Sequence, residues 1–428
     1  MTRRRGPRDA TSAGRSRQRK PAPASDRALT AGDFGPLSGT LVLDVSRTLA
    51  GPFCTMLLGD MGATVVKIEQ PGNGDPARGW PPFVDGHSTY FLSINRNKRS
   101  VTLDIHHPDG QQLLKRLVAR ADVFVENFKV GSLARSGLDF AALRKVNRRL
   151  IYCAISGYGQ TGPRRCEAGF DLTIQAESGI MSVTGDPDGG PTKAGVPLAD
   201  MTAGLYGAYG TLAALRARDL SGEGQLVDVA LLDSALSLLA FHASSVLAGT
   251  GSPKRLGNMH PSLAPYEVFE ASAASRFALG VGTDALWRRL CDALKPSGFE
   301  PHADFATNAG RVAERERLHA ALEAVFSSKS AKHWVSLLKR AGIPCSGIHT
   351  VEDAIRAERA SERSMVVEAP HQTLGATRQV GIPVKLSETP GSVRRGPPEL
   401  GAHTDEVYRE WLGLSAAELK DLRKRQVI

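Results

Sequence analysis

Short apolar runs alternate with amphipathic stretches through the first third of the chain, and this alternation restricts the fold more than any other feature. The runs Leu41–Val45 and Thr64–Ile68 are rich in β-branched residues. Between them, after a Gly51-Pro52 break, Phe53–Gly62 places its apolar residues at helical spacing. A strand, a helix and a second strand in so short a stretch predict a βαβ unit, whose two strands lie parallel in one sheet.

The same alternation recurs further along the chain. Strands are predicted at residues 100–104, 123–125 and 151–155, with helices at 108–120 and 140–146. Repeated β and α segments predict an α/β fold with a doubly wound, Rossmann-like sheet. Ligands of such sheets bind beyond the carboxyl ends of the strands, so functional residues are expected at 46–51, 69–74, 126–131 and 156–162.

One of these segments, Gly157–Gly162, has the spacing of a dinucleotide-binding fingerprint. The fingerprint requires its third glycine to open a helix whose amide groups receive the pyrophosphate. Here Pro163 and Arg164 follow instead, which is typical of a loop. The sequence therefore favours a glycine-rich turn over a nicotinamide or flavin site.

Positive charge is concentrated at the start of the chain rather than spread over it. The 428 residues carry a net charge of +10, and residues 1–35 hold eight Arg and one Lys against three Asp. The rest has no basic stripe interleaved with aromatic residues, so nucleic acid is not expected as a partner. Residues 1–35 are predicted to be a disordered basic extension of a cytoplasmic protein. A transit peptide, which would place the protein in the mitochondrial matrix, is the alternative.

The five cysteines contain no Cys-x-x-Cys pair, which argues against a disulfide framework or a zinc site. No metal site and no redox cofactor are expected. Uninterrupted apolar runs are too short for a membrane span, so a membrane partner is not expected either.

Ten short motifs between residues 37 and 404 follow one another in the order found in one protein family, and the match covers about residues 37–428. They are Leu37-Ser38-Gly39 with Val42-Leu43-Asp44, Ala50-Gly51-Pro52-Phe53, Leu57–Ala63, Val66–Glu69, Asn95–Ser100, Val125–Phe128, Ser156–Pro163, Gly195–Asp200, Ser221–Gln225 and Leu400–Thr404. The chain thus resembles the class III CoA-transferases, the family of formyl-CoA transferase and carnitine CoA-transferase, which also contains alpha-methylacyl-CoA racemase. Its pattern looks most like the succinyl-CoA-dependent dicarboxylate branch, of the glutarate type.

This resemblance implies a Rossmann-like large domain, a smaller α/β domain and an interlocked homodimer. It implies a first part of the large domain at 36–225, a helical linker at 226–254, the small domain at 255–345 and a return segment at 346–428. Arg311–Phe326 is expected to form one helix of the small domain.

The resemblance also assigns the catalytic residue. In the family's transferases an aspartate attacks the donor acyl-CoA thioester, and by motif position that residue is Asp200. The residues themselves leave a plainer role open, because Met201–Leu215 has helical periodicity and Asp200 can be its N-cap. Both roles are compatible, since amide dipoles at a helix start favour an ionised carboxylate.

Coenzyme A, as substrate and product, requires cations for its phosphates and an apolar slot for adenine. By motif position the CoA contacts are Thr48, Leu49, Ala50, Leu103, Asp104, Ile105, His106, Asn127, Phe128, Lys129, Arg135, Ala168, Gly169, Phe170 and Asp171. Lys98 and Arg99 are further candidate cations, with a solvated surface role as the alternative.

Differences at three places in the chain indicate which branch of the family it resembles and which substrates that branch uses. The racemase branch places a histidine where Phe170 stands, and phenylalanine cannot carry a proton, so transfer is favoured over racemisation of a 2-methylacyl-CoA. Formyl-CoA transferase places glutamine at Leu49 and a run of glycines at Gly257–Pro261. Both differences argue against formate or oxalate and suggest that Gly257, Asn258 and His260 line the pocket for a larger carboxylic acid. A histidine bonded to its own loop is the alternative for His260.

Overall fold

The computed structural model describes residues 35–359 and 362–428. The predicted basic extension at 1–35 lies outside the described residues except for Gly35.

Thirteen strands and sixteen helices are found in the described ranges. The strands are β1 Leu41–Asp44, β2 Thr64–Glu69, β3 Phe83–Val84, β4 His87–Ser88, β5 Lys98–Thr102, β6 Val123–Glu126, β7 Ile151–Ser156, β8 Leu226–Ala230, β9 Tyr266–Glu270, β10 Arg276–Gly280, β11 Cys345–Gly347, β12 Val366–His371 and β13 Gly375–Val380. The helices are α1 Ala50–Asp60, α2 Thr89–Ile94, α3 Pro108–Val118, α4 Phe140–Val146, α5 Asp171–Glu177, α6 Ile180–Val183, α7 Leu198–Ser221, α8 Leu231–Ser237, α9 Phe241–Leu247, α10 Asp284–Leu294, α11 Asn308–Ala313, α12 Arg315–Phe326, α13 Ala331–Arg340, α14 Val351–Glu358, α15 Thr404–Leu412 and α16 Ala416–Lys424. Within the described part of the chain, no helix combines the length and the apolar character that a membrane span needs.

A six-stranded parallel sheet, ordered β5-β2-β1-β6-β7-β8, forms the centre of the molecule. Numbered along the chain, these strands have the order 3-2-1-4-5-6 of a Rossmann fold, with the topological switch point between β1 and β6. The doubly wound sheet is therefore confirmed. The five predicted strands form within two residues of their expected bounds. Helix α1 begins earlier than predicted, because Gly51 and Pro52 lie in its first turn, where proline is tolerated.

The sixth strand corrects the prediction of a helical linker at 226–254. Residues Leu226–Ala230 pair in parallel with β7 and form the edge of the sheet. The edge of β7 supplies backbone hydrogen-bond partners to this segment, and the sequence of the segment alone cannot reveal them. Helices α8 and α9 occupy much of the remainder of that range. The single helix expected at Arg311–Phe326 is likewise divided into α11 and α12.

Both faces of the sheet are covered by apolar helices. Helices α3, α4, α15 and α16 pack on one face, so the last 25 residues of the chain return to the core of the first domain. Helices α1, α7 and α8 pack on the other face, together with Ile174 of α5. Residues 264–345 form a separate apolar core around the antiparallel sheet β11-β10-β9. Strand β11 crosses the boundary expected at residue 345, and the other domain boundaries remain predictions.

A buried network of charges lies at the carboxyl end of β1 and β2. The Lys98 ammonium is 3.0 Å from the Asp44 carboxylate, and the Lys67 ammonium is 2.8 Å from that of Asp75. Burial alone would raise the pKa of Asp44, but Lys98 and Lys67 together with two hydroxyl donors hold it at about 2. Asp44 is therefore an ionised carboxylate within the protein interior.

Replacing Asp44 by alanine is expected to lower the free energy of unfolding by about 3–5 kcal/mol, because it leaves the buried Lys98 ammonium without a counter-charge. Denaturant unfolding followed by tryptophan fluorescence measures this. As a control, Glu352→Ala removes an ion pair from the exposed surface of α14 and is expected to change stability by less than about 0.5 kcal/mol. Equal losses in the two variants would contradict a special role for the buried network.

Candidate functional site

The loops that follow β1 and β6 are joined across the switch point. The side-chain amide of Asn127 donates to the Arg47 carbonyl at 2.8 Å and accepts from the Arg47 N–H at 2.9 Å. The Arg47 guanidinium also lies 4.8 Å from the ring centroid of Phe128. The structure thus brings together two of the segments that were predicted to contact CoA, at the place where α/β sheets bind ligands.

The first of these loops is held in an unusual backbone conformation. Thr48 has a φ of 71°, and its N–H donates to both carboxylate oxygens of Asp75 at 3.1 and 3.2 Å. The next residue, Leu49, is buried and precedes α1, which begins at Ala50. The buried Lys67–Asp75 pair therefore determines where the predicted CoA contacts Thr48, Leu49 and Ala50 lie.

Helix α7 carries Asp200 and packs closely against α1. A Cβ atom on Gly204 would lie 2.7 Å from the Ala50 carbonyl oxygen, and one on Gly207 would lie 3.1 Å from the Cys54 sulfur. Glycine at these two positions lets the helices approach closely. Asp200 lies one turn before Gly204, so it is brought to the start of α1. The N-cap of α7 is Pro197, so the prediction that Asp200 is the N-cap was wrong.

Asp171 joins the starts of α5 and α7. One of its carboxylate oxygens accepts the N–H of Ala199 at 2.9 Å, and the other accepts from the Gln175 side chain at 2.7 Å. The side-chain oxygen Oε1 of Gln175 in turn accepts the N–H of Ala194 at 2.9 Å. Asp171 thus holds the segment that leads into α7, and its negative charge acts on Asp200, whereas its contact with CoA stays a prediction.

Asp200 itself has no hydrogen-bond donor to its carboxylate among residues 35–359 and 362–428. Burial, with a contribution from the negative charge of Asp171, raises its pKa from 3.8 to about 7. The expected ionising effect of the helix dipole is therefore outweighed by loss of solvent. A carboxylate of this basicity, partly exposed and without a bound donor, is a stronger nucleophile than an ordinary aspartate.

Tyr90, on α2, was not recognised from the sequence. Burial and the negative charges of Asp200, Asp171 and Asp75 raise the pKa of its phenol to about 12, so the hydroxyl stays protonated beside these carboxylates. Its ring packs edge-on against Trp80, with centroids 5.1 Å apart. The predicted strand and helix pattern did not include α2, and in the sequence Tyr90 reads as one more apolar residue beside Phe91 and Leu92.

The expected phosphate-binding cations are exposed in the second loop. Lys129 and Arg135 have exposed side chains that form no ion pair with any described residue. Lys129 also lines a pocket of about 330 Å³ whose wall includes Glu126, where burial, with a contribution from Asp228, raises the pKa to about 7. Lys98, in contrast, is wholly buried and paired with Asp44, so it is not a ligand contact.

The other predicted contacts lie on separate segments. Leu103 and Ile105 are buried in the core, Asp104 accepts the N–H of His106 at 2.9 Å, and His106 is exposed. Ala168 and Gly169 precede Phe170, whose side chain is 73% exposed at the start of α5. The exposed ring remains free to contact an acyl or pantetheine chain.

The segment predicted to line the acid pocket forms a loop at the entrance to the small sheet. Gly257 has a φ of 59°, its N–H donates to the Gly185 carbonyl, and Asn258 is exposed. His260 accepts the N–H of Ser262 at 3.0 Å, so it is bonded to its own loop. In the described part of the chain these residues form no hydrogen bond or ion pair with Asp200, and their pocket role remains a prediction.

The raised pKa of Asp200 predicts a specific effect of pH on stability. Between pH 4 and 7 the folded protein keeps this proton while the unfolded chain loses it, so the carboxyl group lowers stability progressively as the pH rises. Asp200→Asn removes the ionisable group and with it this loss of folding stability at higher pH. Its melting temperature relative to wild type is therefore expected to rise from pH 4 to pH 8, as measured by thermal unfolding.

Asp219→Asn, at an exposed position near the end of the same helix, serves as the matched control. Its difference from wild type is expected to stay nearly constant over this range. A constant difference for Asp200→Asn as well would show that burial does not perturb the Asp200 carboxyl group.

Comparisons with known proteins identify the family of the chain and support its fold. The model of CoA-transferase family III matches residues 37–404. Succinyl-CoA:glutarate CoA-transferase of Mus musculus is 38% identical over 389 residues, which are 90% of this chain and 89% of that protein. Acetyl-CoA:oxalate CoA-transferase of Acetobacter aceti is 38% identical over 381 residues, 88% of this chain and 96% of its own. A crystal structure of a CAIB/BAIF family protein from Brucella suis is 37% identical, with a TM-score of 0.79, and covers 88% of this chain and all of that one.

Proposed function

The chain belongs to CoA-transferase family III, and from that membership we propose that it moves CoA from succinyl-CoA, or a similar donor, to a free dicarboxylic acid through covalent intermediates on Asp200. The observation that carries the proposal is the environment of Asp200. Its carboxyl group is largely removed from solvent and has a pKa of about 7, and its negative charge helps to raise the pKa of the Tyr90 phenol.

The proposed reaction proceeds by acyl exchange. The Asp200 carboxylate attacks the thioester carbonyl of the donor, so that a mixed anhydride forms and CoA leaves as the thiolate. The thiolate then attacks the aspartyl carbonyl, which gives an aspartyl-CoA thioester and releases the donor acid. The acceptor carboxylate attacks this thioester to form a second anhydride, and the returning thiolate takes the acceptor acyl group and frees Asp200.

Each step places negative charge on oxygen or sulfur in a poorly solvated site. Tyr90, whose high pKa keeps its proton, is proposed to donate a hydrogen bond to that charge. The cations Arg47, Lys129 and Arg135 are proposed to bind the phosphate groups of CoA, since each is without an ion-pair partner among the described residues. These cations lie after β1 and β6, next to the switch point. Phosphates bound there would leave the pantetheine arm of CoA to extend toward Asp200.

Similarity alone does not choose the acceptor acid. The relatives named for glutarate and for oxalate are both 38% identical to this chain. The choice of a dicarboxylic acid larger than oxalate therefore rests on individual residues. Leu49 is apolar and buried at the start of α1, and Phe170 offers an exposed ring, so the pocket is suited to the methylene chain of such an acid.

Incubation with succinyl-CoA and a panel of free carboxylic acids tests this directly, with new CoA thioesters identified by mass spectrometry. Wild type is expected to convert glutarate or a related dicarboxylic acid. Asp200→Ala is expected to lower the rate by at least about a thousandfold, because no other group can carry the acyl chain. Intact-protein mass spectrometry is expected to detect bound CoA on wild type and not on the variant.

Tyr90→Phe is the informative companion variant in this assay. It keeps the Asp200 nucleophile, so CoA still attaches, but kcat is expected to fall by about a hundredfold with little change in KM. Near-normal transfer by Asp200→Ala would overturn the mechanism. If no acid is converted while a 2-methylacyl-CoA takes up solvent deuterium, the racemase alternative replaces the transferase.

We also propose that the protein is a homodimer, as the family resemblance implies. The face of α7 opposite α1 exposes Leu205, Tyr209 and Leu212, which follow helical spacing, and Leu220 beyond them is 75% exposed. Phe241 and Leu247 of α9 are exposed apolar side chains as well. Several large exposed apolar side chains on the helix that carries Asp200 and on the helices that follow it support a subunit interface there.

Tyr209→Asp is expected to convert the dimer to a monomer, because it buries a charge in the proposed interface. Size-exclusion chromatography with light scattering measures the change in mass. Val351→Asp introduces the same charge at an equally exposed apolar side chain on α14 and is expected to leave the mass unchanged. A wild-type mass of one chain would contradict the proposal.

A further inference from the structure

We propose that His87, His371 and Glu399 form a zinc site that fastens the segment leading to Tyr90 to the C-terminal part of the chain. One ligand atom from each of these residues lies within 4.8 Å of the other two. His87 belongs to β4, His371 ends β12, and Glu399 lies in the loop before α15. None of them takes part in the transfer chemistry proposed above.

The distances between donor atoms approach those of a tetrahedral metal site. The Glu399 carboxylate oxygen is 3.6 Å from His87 Nε2 and 4.0 Å from His371 Nδ1. Zinc bonds of about 2.0–2.1 Å place neighbouring ligand atoms about 3.4 Å apart. Small rotations of the two more exposed side chains are therefore enough to bring all three atoms into bonding range.

Thr373 gives this cluster a fourth oxygen. Its hydroxyl lies 2.9 Å from His87 Nε2, 2.7 Å from the Glu399 carboxylate and 3.4 Å from His371 Nδ1. His371 Nδ1 also accepts long hydrogen bonds from the N–H groups of Thr373 and Leu374, at 3.4 and 3.3 Å, which metal binding would replace. The hydroxyl faces all three ligands from one side, so it, or a water that displaces it, takes the fourth position.

The electrostatic setting suits a divalent cation. The side chain of His371 is 2% exposed, and its Nδ1 accepts the N–H groups of Thr373 and Leu374, so this nitrogen presents a lone pair to the cluster. The positive charge of Arg78, which lines the same pocket, is compensated by two hydrogen bonds of 2.7 and 2.8 Å to the Glu69 carboxylate. Two imidazoles and one carboxylate favour zinc over magnesium or calcium, which prefer all-oxygen ligands.

The position of the site indicates a structural role. A pocket of about 230 Å³, lined by the three ligands, connects it to solvent and provides a path for the ion. Ser88 caps α2 directly after His87, and Tyr90 lies in the first turn of that helix. A metal bond at His87 would thus fix the segment that positions the Tyr90 hydroxyl, whichever acid the protein uses.

The test uses the full chain without an affinity tag, stripped with a chelator, dialysed and titrated with Zn²⁺. Wild type is expected to bind one zinc ion per chain by elemental analysis and to melt at a higher temperature with zinc. Co²⁺ in place of zinc is expected to give the visible absorption of a tetrahedral site. His87→Gln and Glu399→Gln, which alter partly exposed side chains, are expected to weaken zinc binding at least about tenfold.

Two variants serve as matched controls. His349→Gln and Glu368→Gln remove an exposed histidine and an exposed glutamate outside the cluster, and both are expected to bind zinc as wild type does. Absence of zinc binding to wild type would overturn the proposal and identify the cluster as a hydrogen-bonded group around Thr373. Equal binding by wild type, His87→Gln and Glu399→Gln would overturn it as well, because the ion would then lie elsewhere.

Discussion

The buried charges at the carboxyl ends of β1 and β2 are the interaction on which the site depends. Asp44 and Lys67 lie on the adjacent parallel strands β1 and β2. Lys98 lies on β5, on the other side of β2, and Asp75 lies in the loop that follows β2. Removing four charges from water is costly unless each is paired and hydrogen-bonded. This requirement fixes the position of the Asp75 carboxylate, which lies where Lys67 pairs with it. Because the same carboxylate accepts the Thr48 N–H, it also fixes the loop that precedes α1.

Pairing of buried polar groups also explains the motif Asn95–Arg99, whose cations Lys98 and Arg99 were candidate ligands for the phosphates of CoA. In Asn95–Arg99, each side chain is used to hold the fold. Asn95 accepts from Lys98, Arg96 binds the Asp60 carboxylate through hydrogen bonds of 2.9 and 2.7 Å, and Arg99 pairs with Glu410. Asn97 accepts the N–H groups of Arg394 and Arg395, which joins the C-terminal segment to the sheet. A run of cations is thus a structural connection rather than a ligand surface.

The environment of Asp200 is the opposite of this network. Asp44 is fully buried with two ammonium groups and has a pKa of about 2, whereas Asp200 is half-buried near another carboxylate and has a pKa of about 7. Charge pairing keeps the first carboxyl group ionised, and the absence of a paired cation makes the second more basic. A carboxyl group with so strongly raised a pKa is what the proposed role of Asp200 as the nucleophile calls for.

The sequence alone predicted the first five strands of the parallel sheet with the helices between them, the switch-point loops and, through its motifs, the family, whereas the role of Asp200 stays a prediction. These are local patterns, or patterns shared with relatives, and they do not depend on knowing which segments touch. Tertiary structure decided what depends on such contacts. It made Leu226–Ala230 an edge strand, buried Lys98 and brought the Tyr90 phenol under the influence of the Asp200 charge. It also raised the pKa of Asp200 and gathered His87, His371 and Glu399, because burial and proximity arise only when distant parts of a chain pack together.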